Sequence, residues 1–252
     1  RTHKAEVTLE GVPRFFTAEQ LDLLTDSKLG ALRISMGVQT FDEGWLQKMG
    51  RQNIGSPQQV ADAVALAQQK SAGTSIDLLL NLPGQPRSAM LADVDHAIAL
   101  GVDQVCLYHL VLRESLPVPW AKDPAMLDAL PDNPTAYDNW RAARERLLEQ
   151  GFEQRTLTNF ERVDLPPERR FRYEPQSFRP HTGDALGFGP GAITGVNFGT
   201  KTRPLKWINH PTAEGYLDSG SGQHRLYLYD GFEDALMPVS YTHLTLPTST
   251  HV

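Results

Sequence analysis

Polar side chains follow the first two predicted strands, at the point where each strand ends. Glu10 comes directly after the apolar residues 7–9, and Gln39 comes directly after the strand predicted over residues 31–38. In parallel barrels the active site lies at the carboxyl ends of the strands, so polar residues at these positions are candidates for ligand binding. For either residue taken alone, a solvated strand end or a helix cap is the alternative.

Asp77 is the most informative candidate because it lies between Ile76 and Leu78 in an otherwise apolar run. An unpaired carboxylate in such a strand would cost on the order of several kcal/mol or would be protonated. Its partner could be a pair of ligand hydroxyls, a buried arginine or a backbone amide. Arg51, which follows Gly50 near a predicted helix end, is a further candidate, with a helix-capping or surface role as the alternative.

Other residues with chemical potential are interpreted as structural. The single cysteine, Cys106, alternates with apolar neighbours in a predicted strand, as a core thiol does. His109 and His181 have no second histidine or carboxylate beside them at ligand spacing. The glycine-rich residues 187–192 lack the trailing glycine and the following helix of a dinucleotide-binding fingerprint, so a strand bend is favoured there.

An alternation of strands and helices must position these candidates. Apolar runs predict strands over residues 7–9, 31–38, 76–82 and 105–112. Helices are predicted between them, over residues 18–29, 42–49, 56–73 and around 90–98. Four strands separated by helices predict right-handed crossovers and a parallel sheet that is barrel-like or doubly wound.

The composition changes after Leu116, where prolines become frequent and an amphipathic helix precedes Gly151. This change predicts a boundary between residues 1–116 and residues 117–238. Residues 239–252 are similar to translated read-through of a sequencing adaptor, and the chain opens at Arg1. We therefore expect a fragment with an artefactual tail, and the tail is excluded from the fold prediction.

The charge balance and the hydropathy exclude several classes of protein. Lys plus Arg total 24 against 30 Asp plus Glu, a net charge of -6, which argues against binding through nucleic-acid phosphates. No run approaches the roughly 18 apolar residues of a membrane span, so a cytoplasmic protein is expected. A single cysteine can form neither an internal disulfide nor a thiolate metal site by itself.

Five segments in order resemble one family, the radical S-adenosylmethionine enzymes of the oxygen-independent coproporphyrinogen III oxidase and haem chaperone group. The segments are residues 10–13, 33–41, 50–51, 76–85 and 186–192, and the likeness runs from about residue 6 to about residue 216. The resemblance implies an α/β fold, a partial (β/α)6 barrel whose first strands are missing, followed by a smaller α+β region. It also implies S-adenosylmethionine and a 4Fe-4S cluster that together generate a 5'-deoxyadenosyl radical.

The resemblance also implies a role for each candidate. Glu10 falls where the family holds the methionine amino group, and Arg51 where it holds the carboxylate. Gln39 and Asp77 fall where the family contacts the ribose hydroxyls. The positions that line the adenine pocket correspond to Val111 and Ile193.

Two family segments are not found in this chain. The three-cysteine motif, with spacing C-x3-C-x2-C, precedes the equivalent of Glu10 in the family, and Cys106 does not replace it. The fragment by itself is therefore expected to be unable to form the radical. The haem chaperone's His-Asn-x-x-Tyr-Trp segment is replaced by residues 175–180, which weakens the chaperone assignment.

Three functions remain open from the sequence. The leading hypothesis is a radical oxidoreductase acting on a small, porphyrin-like substrate, whose propionates could meet Arg169, Arg170 and Arg172. A solvated basic loop is the alternative for these arginines. The second hypothesis is a haem-binding carrier on the same fold, and the third is a (β/α) enzyme that never had a cluster.

Overall fold

A computed structural model describes most of the chain. The described residues are 5–26, 30–70, 73–116, 118–172, 183–196, 205–218, 220 and 223–228. They form two compact units that divide between Arg170 and Phe171. His181 and the ranges 175–180 and 239–252, on which predictions were made, lie outside the described residues.

The first unit is built on a six-stranded sheet in the order β1-β2-β3-β4-β6-β5. Its strands are β1 (Ala5–Gly11), β2 (Gly30–Gln39), β3 (Gly73–Leu80), β4 (Gln104–His109), β5 (Phe152–Gln154) and β6 (Asn159–Arg162). The first four pair in parallel, as the strand and helix alternation predicts, whereas β6 pairs antiparallel with both β4 and β5. The described strands form an open sheet and do not close into a barrel.

Helices connect the parallel strands and continue after them. They are α1 (Ala18–Asp26), α2 (Glu43–Lys48), α3 (Pro57–Gln69), α4 (Arg87–Ala99), α5 (Pro124–Asp128), α6 (Asn133–Glu149) and, in the second unit, α7 (Ala213–Asp218). The predicted start of α3 is confirmed by a capping box, in which Ser56 accepts from the Gln59 N–H and the Gln59 side chain accepts from the Ser56 N–H. None of the described helices is both long and apolar enough to cross a membrane.

Some predicted boundaries differ from the structure. The helix predicted over residues 18–29 is described from Ala18 to Asp26, and β2 begins at Gly30. The strands predicted to reach residues 82 and 112 end at Leu80 and His109. Their apolar character continues for a different reason, because Leu82, Leu110 and Leu112 pack with Trp45 and Ala121 in a separate apolar cluster rather than in the ladder.

One face of the main sheet is apolar and carries the core. Since side chains alternate along a strand, every second residue of β2, β3 and β4 points to the same face. The buried residues on this face include Ile34, Met36, Ile76, Leu78 and Leu107. They belong to one apolar cluster with residues of α3, α4 and α6, namely Val60, Val64, Val94 and Leu147. This packing holds the helices on one side of the sheet.

The other face of the sheet is polar although much of it is buried. Register places Ser35 beside Ser75, Ser75 beside Gln104, and Asp77 beside Cys106. The Ser35 and Ser75 hydroxyls lie 2.9 Å apart, and further bonds run from Arg33 to Gln104 and from the Asn159 amide to the Cys106 sulfur (3.1 Å). Cys106 is buried in this network, which confirms its interpretation as a core thiol.

Two of the arginines predicted to meet a substrate or the solvent form ion pairs within the first unit. Arg169 lies 2.6 Å from Asp103, and Arg170 pairs with Glu153 and, at 3.2 Å, with the fully buried Glu161. Because both arginines are paired within the protein, Arg169 and Arg170 fit neither the solvated basic loop nor the substrate-binding role. Their partners lie outside the basic segment, 9 to 66 residues away, so the pairing was not visible in the loop itself. Arg172 lies in the second unit.

The second unit contains a three-stranded antiparallel sheet. Its strands are β7 (Ile193–Val196), β8 (Leu205–Asn209) and β9 (Gln223–Leu228). The glycine-rich segment bends before β7, with the Asn209 amide donating to the carbonyls of Gly187 (3.2 Å) and Gly189 (2.8 Å). A Cβ on Gly187 would lie 2.6 Å from the Ile193 carbonyl oxygen, so only glycine fits. The segment is thus a bend that leads into a strand, as predicted.

The change of composition after Leu116 does not coincide with the division between the units, because β5 and β6 return to the first sheet. The predicted limits 1–116, 117–238 and 239–252 stay predictions, as does the cytoplasmic location.

A buried amide network ties the end of β3 to α6. Asn81, which has a positive φ of 66°, lies 2.9 Å from the His109 ring, donates to the Ala136 carbonyl at 3.3 Å and accepts from the Asn139 amide at 2.8 Å. Burial lowers the pKa of His109 from its ordinary value of 6.5. His109 is therefore a structural residue of this network.

We predict that His109 makes the chain less stable in mild acid. Because its pKa is lower in the folded than in the unfolded chain, the unfolded chain binds more protons as the pH falls below 6.5, and the free energy of unfolding should decrease there. Urea unfolding between about pH 5.5 and 7.5 measures this decrease. His109→Gln retains a hydrogen-bonding side chain without the titrating ring, so its decrease should be shallower. Equal decreases in both proteins would contradict the prediction.

Candidate functional site

The carboxyl ends of β1 to β4 bring the predicted site residues to one edge of the sheet. The four strands are parallel and adjacent, so their carboxyl ends lie on the same side. Glu10 is the penultimate residue of β1, and Gln39 is the last residue of β2. Asp77 precedes the end of β3, and Val111 follows the end of β4, where the Leu110 N–H continues the pairing by donating to the Leu80 carbonyl at 3.0 Å.

Glu10 and Asp77 also share the polar face of the sheet. Glu10 is paired in register with Ser35, and the Ser35 hydroxyl donates to Asp77 Oδ1 at 3.4 Å. The Ser35 hydroxyl is thus one partner of the half-buried Asp77 carboxylate, a different group from the arginine or backbone amide considered from the sequence. Glu10 is exposed, on a strand that forms the edge of the described sheet.

Gln39 has a strained backbone, and its side chain folds back over Gly37. Its φ is 72°, and the β2 to β3 register shifts between Gly37 and Gln39. The amide folds over Gly37, where an added Cβ would lie 3.1 Å from Gln39 Nε2. Because Gly37 is paired with Asp77, the Gln39 amide and the Asp77 carboxylate lie at adjacent positions of the two strand ends. Left-handed backbone at a non-glycine residue is frequently found at functional sites.

The segment after Gln39 is held by Asp93, a residue that the sequence prediction missed. Asp93 accepts from the Thr40 hydroxyl at 2.7 Å, from the Phe41 N–H at 2.8 Å and from the Gln85 amide at 3.3 Å. Burial raises the pKa of Asp93, and these donors act in the opposite direction. In the sequence Asp93 stands directly before Val94 of the apolar stripe of α4, a position that does not reveal its donors.

Arg51 supplies a half-buried positive charge near the end of β1. It lies in the loop between α2 and α3, where its backbone N–H donates to the Leu46 carbonyl at 2.7 Å. The loop contacts the segment after β1 through a bond from the Arg14 N–H to the Ile54 carbonyl (3.2 Å). Burial lowers the pKa of the Arg51 guanidinium, which nevertheless stays protonated. Among the described residues it forms no ion pair, so an anionic ligand group would be favoured beside it.

The remaining predicted residues lie in different surroundings. Val111 is half-buried next to Leu110 and Leu112, which belong to the second apolar cluster of the first unit. Ile193 begins β7 in the second unit and is 37% exposed. The structure therefore places Glu10, Gln39, Asp77 and Val111 at one sheet edge, while the role of Ile193 stays a prediction.

The residues present do not fit an iron-sulfur cluster. Cys106 is the only cysteine of the chain. It is buried on β4, where its sulfur is hydrogen-bonded to Gln104 and Asn159. Within the described ranges no three His, Cys, Asp or Glu side chains are grouped so that they could hold a metal ion. A cluster that leaves one iron open needs three thiolates, which this chain does not have.

Comparisons with known proteins agree with the family likeness. No family model matches the chain. Radical S-adenosyl methionine domain-containing protein 1 of Bos taurus is 31% identical over 189 residues, covering 75% of this chain and 40% of the relative. The heme chaperone HemW of Lactococcus lactis is 29% identical over 224 residues, covering 88% of this chain and 54% of the relative. The oxygen-independent coproporphyrinogen III oxidase of Bradyrhizobium diazoefficiens is 32% identical over 198 residues, covering 75% of this chain and 42% of the relative.

The fold likeness comes from a solved structure. Coproporphyrinogen III oxidase (HemN) from Escherichia coli, described as a radical SAM enzyme, superimposes with a TM-score of 0.68 at 19% identity, covering 93% of this chain and 54% of that protein. The chain spans about half the length of the curated relatives it matches. The likeness confirms the predicted α/β radical SAM fold. The chain is a homologue of the radical S-adenosylmethionine proteins that include the oxygen-independent coproporphyrinogen III oxidases and the heme chaperones HemW.

Proposed function

We propose that this chain is the S-adenosylmethionine-binding part of a radical oxidoreductase that acts on a tetrapyrrole. The observation that carries the proposal is the position of the Gln39 amide over Gly37, the residue that pairs in register with Asp77 on the adjacent strand. The names of the relatives support the choice of cofactor and the tetrapyrrole class.

Asp77 and Gln39 would recognise the ribose. An ionised carboxylate accepts hydrogen bonds, and a primary amide both donates and accepts, so together they suit two neighbouring hydroxyls. The Ser35 hydroxyl donates to Asp77 Oδ1, and an ionised carboxylate can accept from several donors at once. Such bonds to a charged group are stronger than bonds between neutral partners.

Arg51 and Glu10 would hold the two charged ends of the methionine moiety. A half-buried guanidinium with no ion pair in the described part of the chain suits the carboxylate, and the exposed Glu10 suits the ammonium group. Val111 would contribute apolar contacts to the adenine. The cofactor would supply the radical chemistry of the reaction, and the residues of this chain would bind and orient it. The cluster does not fit this chain's residues, so its ligands would have to come from outside the chain.

We predict that Asp77 contributes directly to cofactor affinity. The chain should bind S-adenosylmethionine in a calorimetric titration, and Asp77→Ala should weaken binding by roughly 1 to 3 kcal/mol because a charge-assisted hydrogen bond is lost. Asp62→Ala, which removes a carboxylate on the exposed side of α3, should leave the affinity unchanged. If the wild-type chain does not bind S-adenosylmethionine, the proposed function is wrong. If only the Asp77 effect is absent, the role of Asp77 is structural.

We predict that Gly37 is required for S-adenosylmethionine binding only because it leaves room for the Gln39 amide. In Gly37→Ala the new methyl group would lie 3.1 Å from Gln39 Nε2, so the flexible amide would have to move and S-adenosylmethionine binding should weaken several-fold. In a Gln39→Ala background the same substitution should have no further effect, since the colliding group is gone. An equal loss of affinity in both backgrounds, measured by calorimetry, would show that Gly37 is needed for another reason.

A haem carrier is the second candidate, because relatives named heme chaperones match the chain as well as the oxidases do.

The substrate is tested with a longer protein that contains this chain together with the cluster ligands. When it is reconstituted with the cluster under anaerobic conditions, we expect it to convert coproporphyrinogen to a decarboxylated product. S-adenosylmethionine cleavage without that product would exclude the substrate and retain the radical chemistry. Stoichiometric haem binding with a shifted Soret band and no turnover would favour the carrier.

A further inference from the structure

We infer that Asp93 is a positioning residue: from the helix side of the sheet it fixes the segment that follows Gln39 and so orients the Gln39 amide toward the ribose. The inference rests on the proposed function and concerns a residue outside the predicted site. Asp93 would act through Gln39 and would not touch the cofactor.

The two carboxylate oxygens of Asp93 bind two consecutive residues of the neighbouring segment. Oδ2 accepts from the Thr40 hydroxyl at 2.7 Å, and Oδ1 accepts from the Phe41 N–H at 2.8 Å. Both side chains in this contact are buried, with Asp93 7% and Thr40 0% exposed. Two short bonds to adjacent residues restrain both the position and the rotation of the segment directly after Gln39.

The helix itself does not require this carboxylate. Asp93 lies within α4, far from the cap at Pro86, so it satisfies none of the N–H groups at the start of the helix. A carboxylate at a buried helix position costs free energy unless donors compensate it. The three described donors come from outside α4, namely Thr40, Phe41 and Gln85. The carboxylate is thus directed at the loops.

Gln39 needs an external anchor because its own backbone is strained. A φ of 72° is unfavourable for a residue with a side chain, and the Thr40 N–H turns back to the Val38 carbonyl at 2.9 Å. Without the bonds to Thr40 and Phe41, the segment could relax to a negative φ, which would redirect the amide away from Gly37 and Asp77.

The same carboxylate connects the two strand ends that face the ribose. Gln85, in the turn after β3, donates to Asp93 Oδ2 at 3.3 Å, while Thr40 and Phe41 follow β2. The Phe41 ring also stacks on His96, one turn further along α4, with 4.0 Å between ring centroids. Asp93 therefore couples the loop that carries Gln39 to the strand that carries Asp77.

The network continues towards Arg51. The Thr40 hydroxyl accepts from the Asp42 N–H at 3.1 Å, and Asp42 caps α2 by accepting from the Trp45 N–H at 2.9 Å. At the other end of α2 the Leu46 carbonyl accepts from the Arg51 N–H. We expect the effect of Asp93 on Arg51 to be smaller than its effect on Gln39, because more bonds separate them.

The test compares S-adenosylmethionine with its analogue that lacks the ribose 2' hydroxyl. The wild-type chain should prefer S-adenosylmethionine. Asp93→Ala should weaken S-adenosylmethionine binding roughly 5- to 20-fold, the equivalent of one or two net hydrogen bonds, and should leave the affinity for the analogue nearly unchanged. The Asp93→Ala and Gln39→Ala double variant should bind like Gln39→Ala alone, since Asp93 acts through Gln39.

Two conservative variants and one control keep the test decisive. Asp93→Asn retains an acceptor for the Phe41 N–H and should keep most of the discrimination between the ligands. Thr40→Val removes only the hydroxyl at nearly constant volume, and we expect it to lose part of the discrimination between the two ligands. The inference therefore stays testable if Asp93→Ala does not fold. Asp95→Ala, on the same helix but paired through both oxygens with Arg146 at 2.9 Å, should change neither affinity.

The outcomes separate this inference from the proposed function. If the wild-type chain binds neither ligand, the proposed function fails and the inference fails with it. If the wild-type chain binds S-adenosylmethionine but Asp93→Ala weakens both ligands equally, or weakens neither, Asp93 does not position Gln39 and only the inference is wrong.

Discussion

The in-register parallel pairing of β1 to β4 is the constraint on which the candidate site depends. It places Glu10 next to Ser35 and Gly37 next to Asp77, so groups from distant parts of the chain meet on one face at one edge. A shift by one residue would turn Asp77 into the apolar core and expose its apolar neighbours on the other face. Packing of the apolar face against α3, α4 and α6 opposes such a shift, so the core specifies the geometry of the polar face.

The polar face imposes a second requirement, because its buried groups must find partners across the strands. Ser35 meets Ser75, Arg33 meets Gln104, and the Cys106 sulfur accepts from an amide of β6. Each bond joins two different strands, so the network contributes to strand alignment as well as to solvation of the polar groups. Towards the carboxyl edge the polar residues are less deeply buried, as the half-buried Asp77 and Gln39 show.

Periodicity predicted what depends on local sequence, and it missed what depends on distant partners. The four parallel strands, the cap at Ser56 and the strand-end positions of Glu10 and Gln39 follow from apolar runs and the residues that end them. The strands β5 and β6 are only 3 and 4 residues long, and β6 pairs with β4 across α6, so no local pattern marks them. Asp93 escaped notice because helical periodicity counts apolar residues, and a buried acid on such a stripe is informative only when its donors are known.

The ends of β2 and β3 share one feature, a left-handed backbone residue held by buried side-chain hydrogen bonds. A non-glycine residue with positive φ stands at each carboxyl end: Gln39, the last residue of β2, at 72°, and Asn81, directly after β3, at 66°. Left-handed backbone at such residues costs on the order of 1 kcal/mol, and in both cases buried side-chain hydrogen bonds on the helix side offset this cost. Asp93 of α4 binds the residues after Gln39, and Asn139 of α6 binds Asn81 itself. The two anchors differ, because Asn81 uses its own amide whereas Gln39 is anchored through its neighbours. Only the second arrangement leaves the amide on the polar face, over Gly37.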